Sequence, residues 1–497
     1  MTLRTGVTGR GAPRYDGARE AHPTGTRREA ATVTTDQAGT RTRRTRRTSL
    51  PRWRADLRLG TRIAVMRAGG LALALRGDPV ARLMHKPWRL DPYPTYAALR
   101  AAAAGGVARS RTGINAVATH EACTAVLRDR RFGVRLADGR MPFDPTSDAQ
   151  RRGAGADGNG TSTASGQDPT DPGTALIEPI DLSLLSLDPP DHTRLRRLAQ
   201  PTFAPRRLAQ YRDTAREVTG RLLDDAAARG SFDLTTDLAA PLPISVIAEL
   251  LAIPHVDTPR FARWGRALGA ALDGVRSVRH AHALSRATAD LRALFGDLVE
   301  RRRADPGEDV ISQLVHELDE GTLTLDELVS LAQLLLVAGF ETTTNLVGNA
   351  VRALQATGTW GDLVADPGLA VGAVEETLRF DPPVQLTARF AHEDVEIGGR
   401  TLRRDSGVLV LLASAGRDPA AHRDPDRFDP RREQTTPHLA FSGGAHYCLG
   451  AALARMEGEV ALEMLAERMP RLRPAGRIVP RVATVLRGPR NFPVRAA

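Results

Sequence analysis

The stretch HLAFSGGAHYCLGAALARMEGEVAL, His438 to Leu462, puts one of only two cysteines of a 497-residue chain in a glycine-rich turn ahead of an alanine-rich helix former. Glycines permit unusual backbone angles and the close approach of a large group, here around the Cys448 sulfur. A helix starting near Ala451 aims amide N–H groups and its positive end at that sulfur, an arrangement that stabilises a thiolate. A free cysteine is more often a small buried hydrophobe. The chemical reading of Cys448 therefore depends on what accompanies it.

A second set lies in LTLDELVSLAQLLLVAGFETTTNLVGNAVRALQATG, which opens on a capping box of Thr324 and Glu327. About 31 residues of helix run ~46 Å, enough to cross a domain. Midway, Gly339, Glu341 and three threonines interrupt the apolar run. These are poor packing choices, and a local violation inside a consistent helix is where function is expected. Two cation-bearing pairs follow helical spacing: Glu376 and Arg379 in EETLRF, and His192 and Arg196 in DPPDHTRLRR. Each alone would be an ordinary surface pair of little value.

Together, Phe441, Gly444, His446, Cys448 and Gly450 resemble the F-x-x-G-x-H-x-C-x-G haem-binding loop of the cytochrome P-450 superfamily. The resemblance implies that Cys448 is the proximal thiolate ligand of haem b (iron protoporphyrin IX), with electron density pushed toward iron to favour O–O cleavage. It implies that His192, Arg196, Arg389 and His446 meet the haem propionates. Glu376 and Arg379 match the family's E-x-x-R pair, completed by Arg427 of DPDRF into a network that fixes the cysteine segment. AGFETT, Ala338 to Thr343, is similar to the oxygen-binding signature, which makes Glu341 and Thr342 the proton-delivery pair. Pocket candidates are Leu335, Ala338 and Gly339, then Val384, Gln385, Leu386 and Thr387, with the segment 182–187. Three positions depart from the family's pattern: Ser442, where glycine is usual, and Gly416 and His422 in SAGRDPAAHRDPDRF.

The elements needed to hold these residues are mostly helical, with apolar spacing of three and four from Asp191 to about Gln355. Strands are expected late, over 384–391, 394–404 with a hairpin turn at Gly398 and Gly399, and 407–416. The fold class expected is mainly α with a small β region, the cytochrome P-450 fold, haem lying between the long central helix and the cysteine loop. By composition, residues 1–60 form an Arg/Thr-rich disordered tail, 61–87 a poorly defined lead-in, and 88–497 one catalytic domain with a low-complexity insertion at about 138–175.

The formal net charge of +11 is concentrated in the tail: fourteen Arg against five acids in residues 1–60 give +9, leaving +2 for the body. Nucleic acid is therefore not an expected partner. Two distant cysteines exclude a disulfide framework and fit a cytoplasmic location. No secretory signal is expected, and IAVMRAGGLALALRG from Ile63, interrupted by Arg67, is too short to span a membrane. No flavin, nicotinamide or iron–sulfur motif appears, so electrons must come from a separate protein. The resemblance implies a ferredoxin and a ferredoxin reductase, O2, an apolar small-molecule substrate and a monomer. A peroxide-using or rearranging relative and a non-catalytic haem sensor are the alternatives; Glu341 and Thr342 weigh against the first.

Overall fold

The computed structural model describes residues 52–102, 106–142, 183–254 and 257–496. Ten helices position the site. They are α1 (Arg52–Leu75), α2 (Pro79–Met84), α3 (Asp191–Ala199), α4 (Pro205–Arg229), α5 (Pro241–Leu250), α6 (Thr258–Ala271), α7 (Val278–Ala304), α8 (Leu325–Thr357), α9 (Ala370–Phe380) and α10 (Ala451–Arg468).

Helix α8 is the axis of the molecule. Its capping box forms as the sequence predicts: Thr324 N donates to Glu327 Oε2 at 2.9 Å and Glu327 N to Thr324 Oγ1 at 3.2 Å. The helix runs 33 residues to a left-handed Gly358. Leucine, valine and alanine around most of its circumference bury it almost throughout, save its ends and a short open face at Ala338 and Thr342, and α5, α6, α7, α9 and α10 pack around it in one large apolar core.

The sheet is small. Strands β1 (Val107–Arg109), β2 (Asn115–Val117), β3 (Phe132–Gly133), β4 (Thr387–Ala391), β5 (Val395–Ile397), β6 (Arg400–Leu402) and β7 (Gly407–Val410) are joined so that one sheet has the order β1-β2-β7-β4-β3. The β2–β7 pair is parallel, with Ala116 opposite Leu409, and the rest are antiparallel. The β5–β6 hairpin turns on Gly398 and Gly399, both at positive φ, as their spacing predicts. The expected strand over 407–416 ends at Val410 and gives way to a short helix, Leu412–Ala415.

The N-terminal expectation needs correction. Residues 1–51 and most of the insertion, 143–182, lie outside the described residues. Residues 52–60, assigned to the tail, are helical in α1, and so are 61–75 and 79–84 of the lead-in 61–87, in α1 and α2. The reason is packing: Leu59 and Ala74 are buried, and Gly70 lets α1 approach the His85 ring so closely that a Cβ there would sit 2.6 Å from it. Apolar residues spread over several sides of the helix, with arginines among them, hid this inner stripe in the sequence.

Candidate active site

Cys448 sits in the turn before α10, three residues short of the helix, and its N–H donates to Phe441 O at 2.9 Å. The loop is shaped by its neighbours. Gly444 has φ +63°, and a Cβ there would stand 2.2 Å from the Leu127 carbonyl oxygen, so this glycine serves the close packing of the loop on the helix His120–Arg128. Ser442 adopts φ +64°, a conformation that costs a non-glycine residue about 1–3 kcal/mol. That strain is the physical reason for glycine at such a position. Serine gains a partial return, because its Oγ lies 3.3 Å from an Arg389 guanidinium nitrogen. Phe441 is capped by Arg455, whose guanidinium lies 4.5 Å from the ring centre and which also pairs with Glu375 at 2.6 Å.

Burial pushes the Cys448 thiol above its ordinary value, although the Gly450 N–H, Arg196 and Arg455 pull the other way. A coordinated metal deprotonates a thiol outright, so the site suits a cysteine that ionises on binding iron.

Four cationic or imidazole residues predicted from scattered positions come together beside this loop. His192 and Arg196 lie one turn apart on α3, and the His192 ring packs against that of His446, 4.3 Å between centres and tilted by 46°. Burial, with His446 and Arg196 nearby, lowers the His192 pKa to about 4. Arg389 on β4 is buried, and desolvation drags it down to about 10 against the opposing charge of Asp188. Asp188 was missed in the sequence. Burial works to raise its pKa, but His446 and the Val134 and Arg135 N–H groups outweigh that and hold it at about 2. A buried guanidinium that forms no close ion pair among the described residues, and a His446 Nε2 whose nearest carboxylate, Asp188, lies at 3.8 Å, beyond hydrogen-bond distance, fit a group bearing carboxylates. Cys448 for iron and Arg389, Arg196, His192 and His446 for the propionates therefore fit haem.

The structural network differs from the expectation in one member. Glu376 and Arg379 are both fully buried and form two parallel bonds, at 2.7 and 2.8 Å. The second guanidinium on Glu376 belongs to Arg432, at 3.1 Å, whereas the Arg427 side chain is 72% exposed and only 3.7 Å from Asp429. Arg427 contributes its carbonyl oxygen, which accepts from Arg379 at 3.1 Å and from Arg432 at 2.9 Å. Gly416 is part of the same knot: its carbonyl accepts from Arg379 at 2.6 Å, and a Cβ on it would lie 2.2 Å from Arg379 O. His422 is buried, and desolvation with Arg379 beside it lowers its pKa to about 4.

On α8, Glu341 and Thr342 are present but not hydrogen-bonded to each other. Successive helix residues point about 100° apart. Glu341 is buried and pairs with Arg481 at 2.6 Å, and burial raises its pKa against Arg481 and Arg266. The Thr342 hydroxyl donates to Ala338 O at 2.7 Å. Ala338 and Thr342, one turn apart, are the open face of a helix whose flanking residues are buried. Arg481, in the C-terminal segment, carried no signal in sequence.

Several pocket candidates are committed elsewhere. Gly339 faces α5, where a Cβ would meet Ile247 at 3.0 Å. Gln385 is buried, its amide donating to Pro382 O at 2.8 Å. Leu386 packs under the sheet with Tyr96 and Leu411, and Leu335 is in the main core. Val384 is half-buried, and Thr387 accepts from Arg389 at 3.0 Å.

A cysteine loop before a helix, crossed by a long helix with an acid and an alcohol at mid-length, defines a haem-thiolate protein. Residues 369–471 match the cytochrome P450 family profile. The chain is 39% identical over 427 residues to a putative cytochrome P450 140 of Mycobacterium tuberculosis, covering 84% of this chain and 92% of that one. It is 41% identical over 317 residues to 6-deoxyerythronolide B hydroxylase of Saccharopolyspora erythraea, covering 62% and 76%. The myxobacterial CYP267B1 structure in complex with myristic acid superposes with TM-score 0.71 at 34% identity, covering 84% of this chain and 98% of that one. The chain belongs to the cytochrome P450 family and is a P450 monooxygenase that binds haem b.

Proposed function

We propose that this monooxygenase hydroxylates or epoxidises an apolar small molecule, using O2 and two electrons from a ferredoxin and its reductase, within a single catalytic domain over about 88–497. The balance is one oxygen atom into the substrate and one into water, with two electrons and two protons consumed. The observation that carries the reading is the convergence of His192, Arg196, Arg389 and His446 on the Cys448 loop. Haem, when bound, supplies dioxygen activation. The chain's own residues supply the rest. Cys448 holds iron, the cations anchor propionates, and Glu376 with Arg379 fixes the segment leading to the loop. Glu341 and Thr342 move protons, Glu341 held in place by Arg481 and Thr342 on the open face of α8.

An apolar substrate fits the leucine-rich surroundings of α8, a relative that is a 6-deoxyerythronolide B hydroxylase, and a similar structure that holds myristic acid. External electrons fit a chain whose second cysteine, Cys123, is buried and too far in sequence for a cluster. A monomer in the cytoplasm, acting without nucleic acid, fits the nearly neutral body. Among the described residues no helix is long and apolar enough to cross a membrane.

The test is ferredoxin-supported turnover with apolar ligands first selected by a haem spin-state shift. Product formation that needs ferredoxin, with less product per electron in Thr342→Ala, is the expected result. Peroxide-supported turnover that outpaces it would favour a peroxide-using enzyme, and normal haem reduction with no product from any ligand would favour a sensor.

A further inference from the structure

Six of the thirteen exposed large apolar side chains among the described residues lie on α1, a concentration that no other described helix matches. At about 100° per residue, Trp53, Leu57, Leu71 and Leu75, with Ala64 and Ala68 between them, fall in a sector roughly 60° wide. They make one continuous stripe ~33 Å long at ~1.5 Å per residue. Trp53, Leu57 and Leu75 are 62%, 63% and 68% exposed.

This stripe is not the face that holds α1 to the protein. Leu59 and Ala74 face inward with Gly70, and the helix is tied down by Arg82 to Ala74 O at 3.2 Å and His282 to Asp56 at 3.0 Å. The outer stripe is bordered by arginine on both sides. Arg54 and, further round, Arg58 flank one edge, Arg67 stands at the other, and Arg62 lies on the side of the helix between this stripe and the inner face. The helix has a single acid, Asp56, already taken by His282. Among the described residues no carboxylate pairs with these four arginines.

We propose that α1 is an interfacial helix that docks the enzyme on an anionic lipid surface, its apolar stripe among the acyl chains and its flanking arginines at the phosphates. An indole at one end and long cationic stems along both edges are the side chains that suit such a boundary. A second copy of this helix is a poorer occupant, because pairing two identical stripes would bring arginine rows of like charge together. The substrate pocket would then lie on a body held at a membrane, where apolar molecules concentrate.

The test is co-sedimentation of the full-length, haem-loaded protein with vesicles of phosphatidylcholine alone or mixed with phosphatidylglycerol. Binding to the mixed vesicles, weakened by salt and accompanied by a blue shift of Trp53 fluorescence, is expected. The discriminating variant is Leu57→Ser/Leu71→Ser/Leu75→Ser, which keeps every charge, including those of the Arg-rich residues 1–51. It should bind at least about tenfold more weakly while keeping its haem spectrum and turnover. Arg54→Gln/Arg58→Gln/Arg62→Gln should lose the preference for anionic lipid. Unchanged binding of the serine variant would assign any attraction to residues 1–51 and overturn the proposal. So would no binding by the parent, or a parent dimer in sedimentation that the serine variant abolishes without vesicle binding.

Discussion

The Nε of Arg432 lies 3.1 and 3.2 Å from the two carboxylate oxygens of Glu376, so this buried acid is shared between Arg379 on its own helix and an arginine 56 positions away. Two charges at zero exposure are tolerated only because every lone pair is met: Asp429 N and the Gln434 amide also donate to Glu376, at 2.9 and 3.2 Å.

Removing Arg432 leaves Glu376 with less than its required charge in a dry place. Arg432→Ala is expected to cost about 3–5 kcal/mol and to lower the haem content of purified protein. Arg427→Ala, which keeps the carbonyl that both arginines use, should stay within about 0.5 kcal/mol of the parent. Denaturant midpoints and haem absorbance separate the two. The reverse order of effects would restore Arg427 as the network's third charge.

Gly416 is required by the backbone it touches rather than by its own dihedral angles. A Cβ 2.2 Å from Arg379 O cannot be absorbed by a side-chain rotation. Gly416→Ala should therefore cost about 1–3 kcal/mol and weaken haem retention, measured by thermal unfolding of the holoenzyme. An unchanged melting temperature would show that the segment shifts freely.

Glu457 on α10 is buried against α8, and desolvation raises its pKa to about 8, opposed only by the Thr343 hydroxyl. Unfolded, it would titrate near its ordinary 4.5. Between these values the folded state binds more protons, so stability falls as pH rises through that window and is flat above it. The loss should be ~3 kcal/mol from about pH 5 to pH 8. Glu457→Gln should remove most of that slope and be more stable than the parent at pH 8. Equal slopes in both proteins would show that Glu457 is charged and solvated.

Glu341 depends on Arg481 in the same sense. Arg481→Met removes the guanidinium 2.6 Å from its carboxylate, so the Glu341 pKa should rise further. The acid-side limb of the ferredoxin-supported rate should move to higher pH, and Glu341→Gln should abolish that limb. A pH profile identical in Arg481→Met and the parent would contradict a role for this pair in proton delivery.

The fold was legible where one kind of signal dominated. The capping box, the long apolar run of α8 and the Gly398–Gly399 turn appear where local chemistry puts them. The residues beside Cys448 were legible through their spacing. Partners chosen by tertiary contact were not. Nothing local distinguishes Arg432 from Arg427 or Arg431, and only the fold shows which guanidinium reaches Glu376. Arg481 and Asp188 sit in irregular segments without periodicity. Gln385 and Leu386 were expected at the pocket because they follow a proline pair, yet just before β4 tertiary contacts claim both: Gln385 turns back to the Pro382 carbonyl and Leu386 packs with Tyr96 and Leu411. Helix α1 was missed because its inner and outer apolar stripes are separated by arginines.

The central claim, that Cys448 supplies the thiolate on haem iron, is tested most directly by the carbon monoxide difference spectrum of the reduced protein beside that of Cys448→Ala. The account predicts a Soret band at the thiolate-ligated position in the parent and its loss in the variant. A parent spectrum without that band, or a variant that keeps it, would contradict the account.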